Sequence, residues 1–399
     1  MTITINNKNK KTNVPNLRFP EFHGEWEKCK LSEICTFFSG GTPSSSNKDF
    51  YGGNIAFIRS GELHADSTEL FITQAGFDSS SAKMVEIGDL LLAMYGATSG
   101  DIAASKIKGA INQAILCIRT KQNKKFIESV WNKHVSKNLR KYLQGGQGNL
   151  SADIVKGISF FFPTLKEQEK IANLVSLLDE RIATQNKIID KLQTLIRGIM
   201  VELQKQGLKN GTWKKFILAD VLSERSELNI NLHQVFSVSV SKGVVNQVEY
   251  LGRSFSAKDT SKYHVVHYGD IVYTKSPTGS FPYGIVKQSL NHDNVAVSPL
   301  YGVYKPKNFS TGMFLHQYFM SEVNTLNYLH PLIQKGAKNT INITNQRFLE
   351  NRVAMPINTD TLLVISQLLR SLNYKIEYQQ NLLLQYQKQK QYLLRQMFI

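Results

Sequence analysis

Cysteine is scarce in this 399-residue chain. Cys29, Cys35 and Cys117 form neither a disulfide framework nor a zinc-ligand spacing, and they read as small core residues in a reducing compartment. Long apolar runs are missing as well: none approaches the ~18 residues of a membrane span. The first residues are polar and lysine-rich without the apolar centre of a signal peptide. A cytoplasmic protein with a flexible tail over residues 1–19 is expected. There is no Gly-x4-Gly-Lys-Ser/Thr phosphate loop, so the chain is not expected to hydrolyse ATP. The stretch Gly96-Ala-Thr-Ser-Gly100 departs from the Gly-x-Ser-x-Gly nucleophile pattern, and no dinucleotide glycine motif sits between a strand and a helix. Nine histidines are scattered. The closest pair, His264 and His267, lies on an apparent strand at odd separation and so faces opposite sides. No catalytic, cofactor-binding or metal-binding residue is expected. Negative charge is also short: 31 Asp and Glu stand against 48 Lys and Arg, a net charge of +17. That balance points to a polyanionic partner, nucleic acid first, with a merely soluble basic protein as the plain alternative.

What the chain does have is one long helix-forming stretch, 164–206. Ile171, Val175, Leu178, Ile182, Ile189, Leu192, Ile196, Ile199 and Leu203 recur at steps of three and four, interrupted only by Gln185. This is a heptad seam held for more than four heptads. Thr164 with Glu167 fits a capping box, and Gly207 a C-terminal stop. Such a helix spans ~60 Å. The pattern returns over 359–399 as Ile365, Leu369, Leu372, Ile376, Gln379, Leu383, Tyr386, Lys390, Leu393 and Met397.

The repeat reaches beyond the helices. The segment opening at Trp26 has a counterpart at Trp213, Gly88-Asp89-Leu90-Leu91 one in Gly269-Asp270-Ile271-Val272, and Phe160-Phe-Phe-Pro163 one in Val353-Ala-Met-Pro356. The offset runs from 181 positions (Gly88 to Gly269) to 194 (Ile171 to Ile365). The chain is two copies of one plan, a globular unit followed by a long helix. The expected fold class is α+β, with globular units at 20–163 and 207–358. Each is a mixed α/β domain with a mainly antiparallel, strongly curved sheet. A turn and strand are expected over 51–58, strands around 90–94 and over 110–119, and a helix over 126–144.

In the first unit Ser39-Gly-Gly-Thr-Pro, Tyr51-Gly-Gly-Asn-Ile, Arg59-Ser-Gly-Glu-Leu63, Ile87-Gly-Asp-Leu-Leu and Pro163-x3-Glu167-Gln168-x2-Ile171 follow in order. This order resembles the target recognition domain and following helix of Type I restriction–modification specificity subunits. The tandem layout is similar to that family along nearly the whole chain. The second unit lacks the Gly-Gly-Thr-Pro loop. It carries Tyr263-His-Val-Val-His-Tyr-Gly-Asp-Ile-Val-Tyr-Thr-Lys-Ser-Pro277 instead, with Phe281-Pro-Tyr-Gly-Ile285 and Val297-Ser-Pro-Leu-Tyr-Gly-Val303 after it. Scaffold positions match between the halves while loops differ, as two readers of different sequences would require.

From the topology, antiparallel pairing of the two helices makes a pseudo-two-fold dumb-bell coiled coil. Two readers would then face one double-stranded DNA at about a helical turn or more, the target being two short half-sites around an unread spacer. Gln185 and Gln379 would meet at the crossing and set register, or else be two unrelated solvent-facing residues. Phosphates want cations, hydroxyls and backbone N–H; base edges want Arg, Asn and Gln. On that basis the DNA-contact candidates are Gly41, Thr42, Ser44, Ser45, Lys48, Arg59, Tyr95, Thr98, Gln147 and Asn149 in the first unit. Arg253, Lys275, Lys335, Lys338 and Asn339 are those of the second. The competing reading is glycine loops that merely turn the chain and solvated lysines. The resemblance further implies two methyltransferase (M) subunits using S-adenosylmethionine, docked near the coil, and restriction/translocase (R) subunits using ATP and Mg. The cofactors would belong to those partners. The rivals are a stand-alone DNA-binding regulator, for which no helix-turn-helix is evident, a coiled-coil adaptor, and a nuclease with a dispersed site.

Overall fold

The computed structural model describes residues 4–5, 13–142, 150–253, 256–335 and 341–399. Contacts divide the chain into two compact units, Met1–Asn186 with Leu382–Ile399, and Lys187–Asn381.

In the first unit, strand Glu27–Lys30 pairs antiparallel with Ser159–Phe162. Two four-stranded sheets follow. One runs in the order Phe71–Ile72, Tyr51–Ile58, Gly109–Ile111, Lys83–Val85; the other Cys35–Ser39, Ile115–Thr120, Leu90–Ala93, Ile102–Ala104. All of these pairings are antiparallel except Gly109–Ile111 with Tyr51–Ile58. Leu90–Ala93 is apolar on both faces because both faces are covered. Leu90 and Leu92 enter the core of Trp26, Phe126 and Trp131, while Leu91 and Ala93 enter a second core with Ile58, Ile111 and Cys117. The expected single strand over 110–119 is in fact two. Asn112 accepts the Ala114 N–H (3.1 Å) and breaks the run into a turn. The helix expected over 126–144 begins earlier, at Lys124, and is described to Tyr142.

The long helix is Leu165–Lys209, and the last is Thr359–Met397. Every seam position is buried or half-buried, Gln185 and Gln379 included. Within the first unit, Ile171, Val175 and Leu178 share one core with Leu393, Met397 and Phe398. Asp179 bonds Lys390 (2.5 Å) and the Arg181 guanidinium lies 3.5 Å from the Tyr386 hydroxyl. One number rises as the other falls, so these helix segments run antiparallel. The end of the last helix is held by the Lys124–Tyr142 helix. Lys133 donates to the Arg395 (3.4 Å) and Phe398 carbonyls, which lack intrahelical partners, and Phe398 packs on Phe126 at 5.1 Å.

Both sequence-based ideas about the ends of the long helix need correction. Glu167 does not fold back on Thr164 in a capping box. It is 1% exposed and receives Arg18 in a two-pronged pair (2.8 and 2.7 Å) and the Trp26 indole N–H (3.3 Å). Gly207 does not stop the helix; its missing side chain makes room for Trp213, whose Cδ1 would lie 2.0 Å from an added Cβ. The chain turns instead at Gly211, at φ 70°.

The second unit repeats the scaffold. Its central sheet runs Leu222–Glu224, Gly302–Pro306, Ile271–Tyr273, Val286–Gln288, the same order as the second sheet of the first unit. Trp213–Ile217 pairs with Arg352–Pro356 as Glu27–Lys30 does with Ser159–Phe162. Two further pairs, Phe236–Ser239 with Gly243–Asn246 and His264–Val266 with Val295–Val297, belong to this unit.

Candidate nucleic-acid interface

Each unit has two poles, defined by the ends of its central strand. In the first unit the loop pole is organised by the 112–114 turn. Gly41 N–H donates to the Ile111 carbonyl (3.2 Å), the Thr42 hydroxyl bonds Gln113, Asn112 N–H reaches the Ile58 carbonyl (3.4 Å), and Met94 N–H reaches the Ala114 carbonyl (2.8 Å). Four segments distant in sequence therefore converge, which sets Thr42 and the neighbours Arg59 and Tyr95 around one turn.

The 40–48 loop is rigid for steric reasons. A Cβ on Gly40 would sit 1.7 Å from the Ile111 carbonyl oxygen, and one on Gly41 2.0 Å from the Ser81 hydroxyl. Gly41 is buried, so it shapes the loop rather than offering it to a ligand; that expected contact is not supported. Pro43 is buried too, its carbonyl accepting the Tyr51 hydroxyl at 2.7 Å. What faces outward is hydroxyl-rich and carries one cation: Thr42, Ser44 bonded to Ser46 (2.7 Å), Ser45 and Lys48. Arg59 is half-exposed but spends its charge on Glu62 (2.9 Å). Tyr95 presents its ring, 38% exposed, at the end of the central strand. Gln147 and Asn149 lie outside the described residues. Gln113 was missed by sequence reading, because only the tertiary fold sets it against Thr42.

In the second unit the loop pole is the 274–285 excursion. The Tyr273 hydroxyl donates to the Tyr283 carbonyl (2.8 Å), and Thr278 and Phe281 exchange backbone hydrogen bonds of 3.0 Å. Lys275 is half-buried and in the left-handed region, at φ 58°, where Gly284 closes on its backbone N at 2.8 Å from where a Cβ would stand. A β-region alternative would cost nothing to a lysine, so the fold imposes this strain. Burial pushes the Lys275 ammonium down from its ordinary value, and Glu224 acts in the opposite direction. Arg253 is exposed on a different lobe, after the short helix Gln247–Leu251 that ends at Gly252. The structure does not bring it to Lys275. Lys338 and Asn339 lie outside the described residues, as does the side chain of Lys335. His264 and His267 serve separate partners: His264 Nδ1 lies 3.1 Å from the Tyr301 carbonyl and His267 Nε2 2.7 Å from Glu227. Among the described residues no three His, Cys, Asp or Glu side chains gather as a metal site, and no helix is long and apolar enough to cross a membrane.

At the opposite pole each unit has a Gly-Asp turn pinned by arginine. Asp89 takes both prongs of Arg119 (3.1 and 2.7 Å), with Lys124 3.7 Å away; Asp270 takes both prongs of Arg225 (2.6 and 3.1 Å).

The fold thus defines a duplicated scaffold with two divergent loop poles. Residues 23–194 match the family model of the Type I restriction modification DNA specificity domain. Among curated relatives, the MjaIX specificity subunit of Methanocaldococcus jannaschii is 26% identical over 42% of this chain and 42% of its own length. The EcoR124I/EcoR124II specificity subunit of Escherichia coli is 28% identical over 44% of this chain and 45% of its own. The chain spans less than half the length of these relatives. The crystal structure of an S subunit from M. genitalium shares the fold with a TM-score of 0.64, covering 97% of this chain and 99% of that one at 11% identity. Residues 23–194 are thus similar to the Type I restriction modification DNA specificity domain, and the chain as a whole shares the fold of a solved S subunit.

Proposed function

We propose that this chain is the DNA sequence-specificity subunit of a Type I restriction–modification complex. It reads a two-part asymmetric target with an unread spacer and scaffolds the methyltransferase and restriction subunits, itself non-catalytic and cytoplasmic. The observation that carries the reading is the repeated strand order with two chemically different loop poles. One pole presents serine and threonine hydroxyls, Lys48, Gln113 and Tyr95; the other presents Lys275 held in a strained turn.

The division of labour follows from the side chains. Hydroxyls, backbone N–H groups and Lys48 suit phosphates and fix register, while Gln113 and the Arg and Asn candidates suit base edges. Strain and close glycine contacts hold these groups in place before DNA arrives, so less ordering entropy is lost on binding. The partner subunits supply S-adenosylmethionine, ATP and Mg. Methylome sequencing of a host with and without this gene, its methyltransferase partner being present, tests the reading. A new methylated-adenine motif in two parts with a constant spacer is the expected result. No change, with the complex formed and the partner active, replaces this reading by a DNA-binding regulator or coiled-coil adaptor.

A further inference from the structure

In the first unit the helix pole is closed on itself. Lys124 donates to the Gly88 carbonyl (2.6 Å) and adds its charge to that of Arg119 on Asp89. The same pole of the second unit is open. Phe309 occupies the position of Lys124 and Tyr268 that of Ile87, and a cavity of about 360 Å³ lies between the Tyr268–Asp270 turn, the end of the Gly302–Pro306 strand and Arg370 of the last helix.

The cavity lining carries more cation than anion: Arg225, Lys305 and Arg370 stand against Asp270. Arg225 is spent on Asp270, with Glu227 3.5 Å away. Arg370 has only neutral partners: its guanidinium lies over the Phe309 ring (5.2 Å) and donates to the Tyr374 hydroxyl (2.9 and 3.1 Å), with the Tyr268 hydroxyl at 3.5 Å. Lys305 lines the same space, exposed, and no carboxylate approaches within ion-pair distance among the described residues. The floor is a column of rings: Tyr268 stacks on His292 (5.3 Å, 8°) and on Phe309 (5.2 Å, 9°), with Arg370 over the Phe309 ring. A guanidinium fixed this way is a preorganised fork for an oxyanion.

We infer that this socket receives a carboxylate side chain from a protein partner, which rests on the specificity-subunit reading above. Three observations select a protein carboxylate over a DNA phosphate. The socket lies at the start of the Ile271–Tyr273 strand while Lys275 follows its end, on the far side of a three-residue strand that spans roughly 10 Å. Next to the socket, Tyr374 and Tyr378 follow Arg370 at i+4 and i+8 on one helix face, 52% and 65% exposed. Arginine and tyrosine flanked by exposed Leu368 make the residue mixture that dominates protein–protein binding energy.

The test uses the full chain co-expressed with the methyltransferase subunit encoded beside it. R370E and K305E, alone and together, are compared with wild type for the dissociation constant of the subunit complex and for binding of duplex DNA by the chain alone. R370Q repeats the measurement without charge reversal should R370E fail to fold. The expected result is subunit binding weakened at least about tenfold by each single reversal, with DNA binding by the chain alone unchanged. Weakened DNA binding with an intact subunit complex would assign the socket to phosphate and overturn the inference. Unchanged subunit binding in folded R370E/K305E overturns it while leaving the specificity-subunit reading in place. Failure of wild type to form the complex removes both.

Discussion

The Gly-Asp turns of the two units solve one electrostatic problem with different strands. Strand register equates Phe38 with Arg225 and Arg119 with Lys305, since Phe37 and Glu224 stand opposite Ile118 and Tyr304, which pair in turn with Leu90 and Ile271. In the first unit the cation comes from the central strand, and Arg119 lies over the Phe38 ring at 4.9 Å while it holds Asp89. In the second the arginine has moved to the neighbouring strand, and Lys305 is released toward the open socket. The required thing is a fixed aspartate at the turn: Asp89 accepts the Glu86 N–H (3.0 Å) and Asp270 the His267 N–H (2.9 Å), so each carboxylate ties its turn together. Which residue supplies the countercharge is free to vary, and that freedom lets one pole open while the other stays shut.

The comparison breaks most visibly at the root of the long helix. Arg18→Ala leaves Glu167 buried without its cation, in the first unit only. A loss of about 3–5 kcal/mol is expected, seen by hydrogen exchange as early opening of the first unit with the second unaltered. The corresponding lesion in the second unit is Gly207→Ala, whose methyl would overlap the Trp213 ring. It is expected to cost ~1–3 kcal/mol and to shift Trp213 fluorescence; a wild-type spectrum and melting curve would refute the close-packing role. Converting one turn into the other is milder. Arg119→Lys should cost about 1 kcal/mol or less, because Arg119 is 45% exposed and screened. Adding Phe38→Arg should recover most of it, as a positive coupling in a double-mutant cycle. Additive losses would show that the two arrangements are not equivalent.

A smaller effect appears with pH. Burial alone would raise the Asp89 carboxyl, but hydrogen bonds from Arg119 and the Glu86 N–H together with nearby cations bring it below its ordinary value of 3.8; Lys125 and Lys390 do the same for Asp179. Both folded values are depressed, so their stabilisation is complete above about 3.8 and fades as pH falls through the folded values. Acid titration should therefore weaken the first unit in that window, and Asp89→Asn should flatten the dependence. The smallest change is at the reading face: Lys275→Gln should lower the slope of log affinity for DNA against log salt by about one if its ammonium meets a phosphate. An unchanged slope assigns Lys275 to folding the turn.

Much of the architecture could be read directly. Leu and Ile at steps of three and four bury themselves wherever the helix lies, so the seam positions are the ones found buried or half-buried. The strand expected within 51–58 takes in the whole of Tyr51–Ile58, including the Gly-Gly-Asn that reads as a turn. Misreadings arose where a residue's local role and its tertiary role differ. Glu167 has the right spacing for a cap, yet a buried arginine outbids a backbone N–H. Gly207 looks like a stop but marks a close approach, and Asn112 breaks a strand by a side-chain hydrogen bond that periodicity cannot register. Among the site residues, the segments carrying Thr42, Arg59 and Tyr95 do converge, whereas Gly41 is buried in the loop.

By itself the sequence determined the duplication, the two long helices with their apolar seams, the excess of positive charge and the conserved scaffold positions beside divergent loops. These follow from residue spacing and composition, which act locally or sum along the chain. Tertiary structure alone decided that Gln113 meets Thr42, that Arg119 and Arg225 reach equivalent aspartates from different strands, and that Arg370 lies over the Phe309 ring with no carboxylate within ion-pair distance among the described residues. Each of those depends on bringing together side chains 30 to 71 positions apart in the chain, from Asp89 with Arg119 to Thr42 with Gln113. Strand register and helix packing fix such meetings, and no local pattern encodes them.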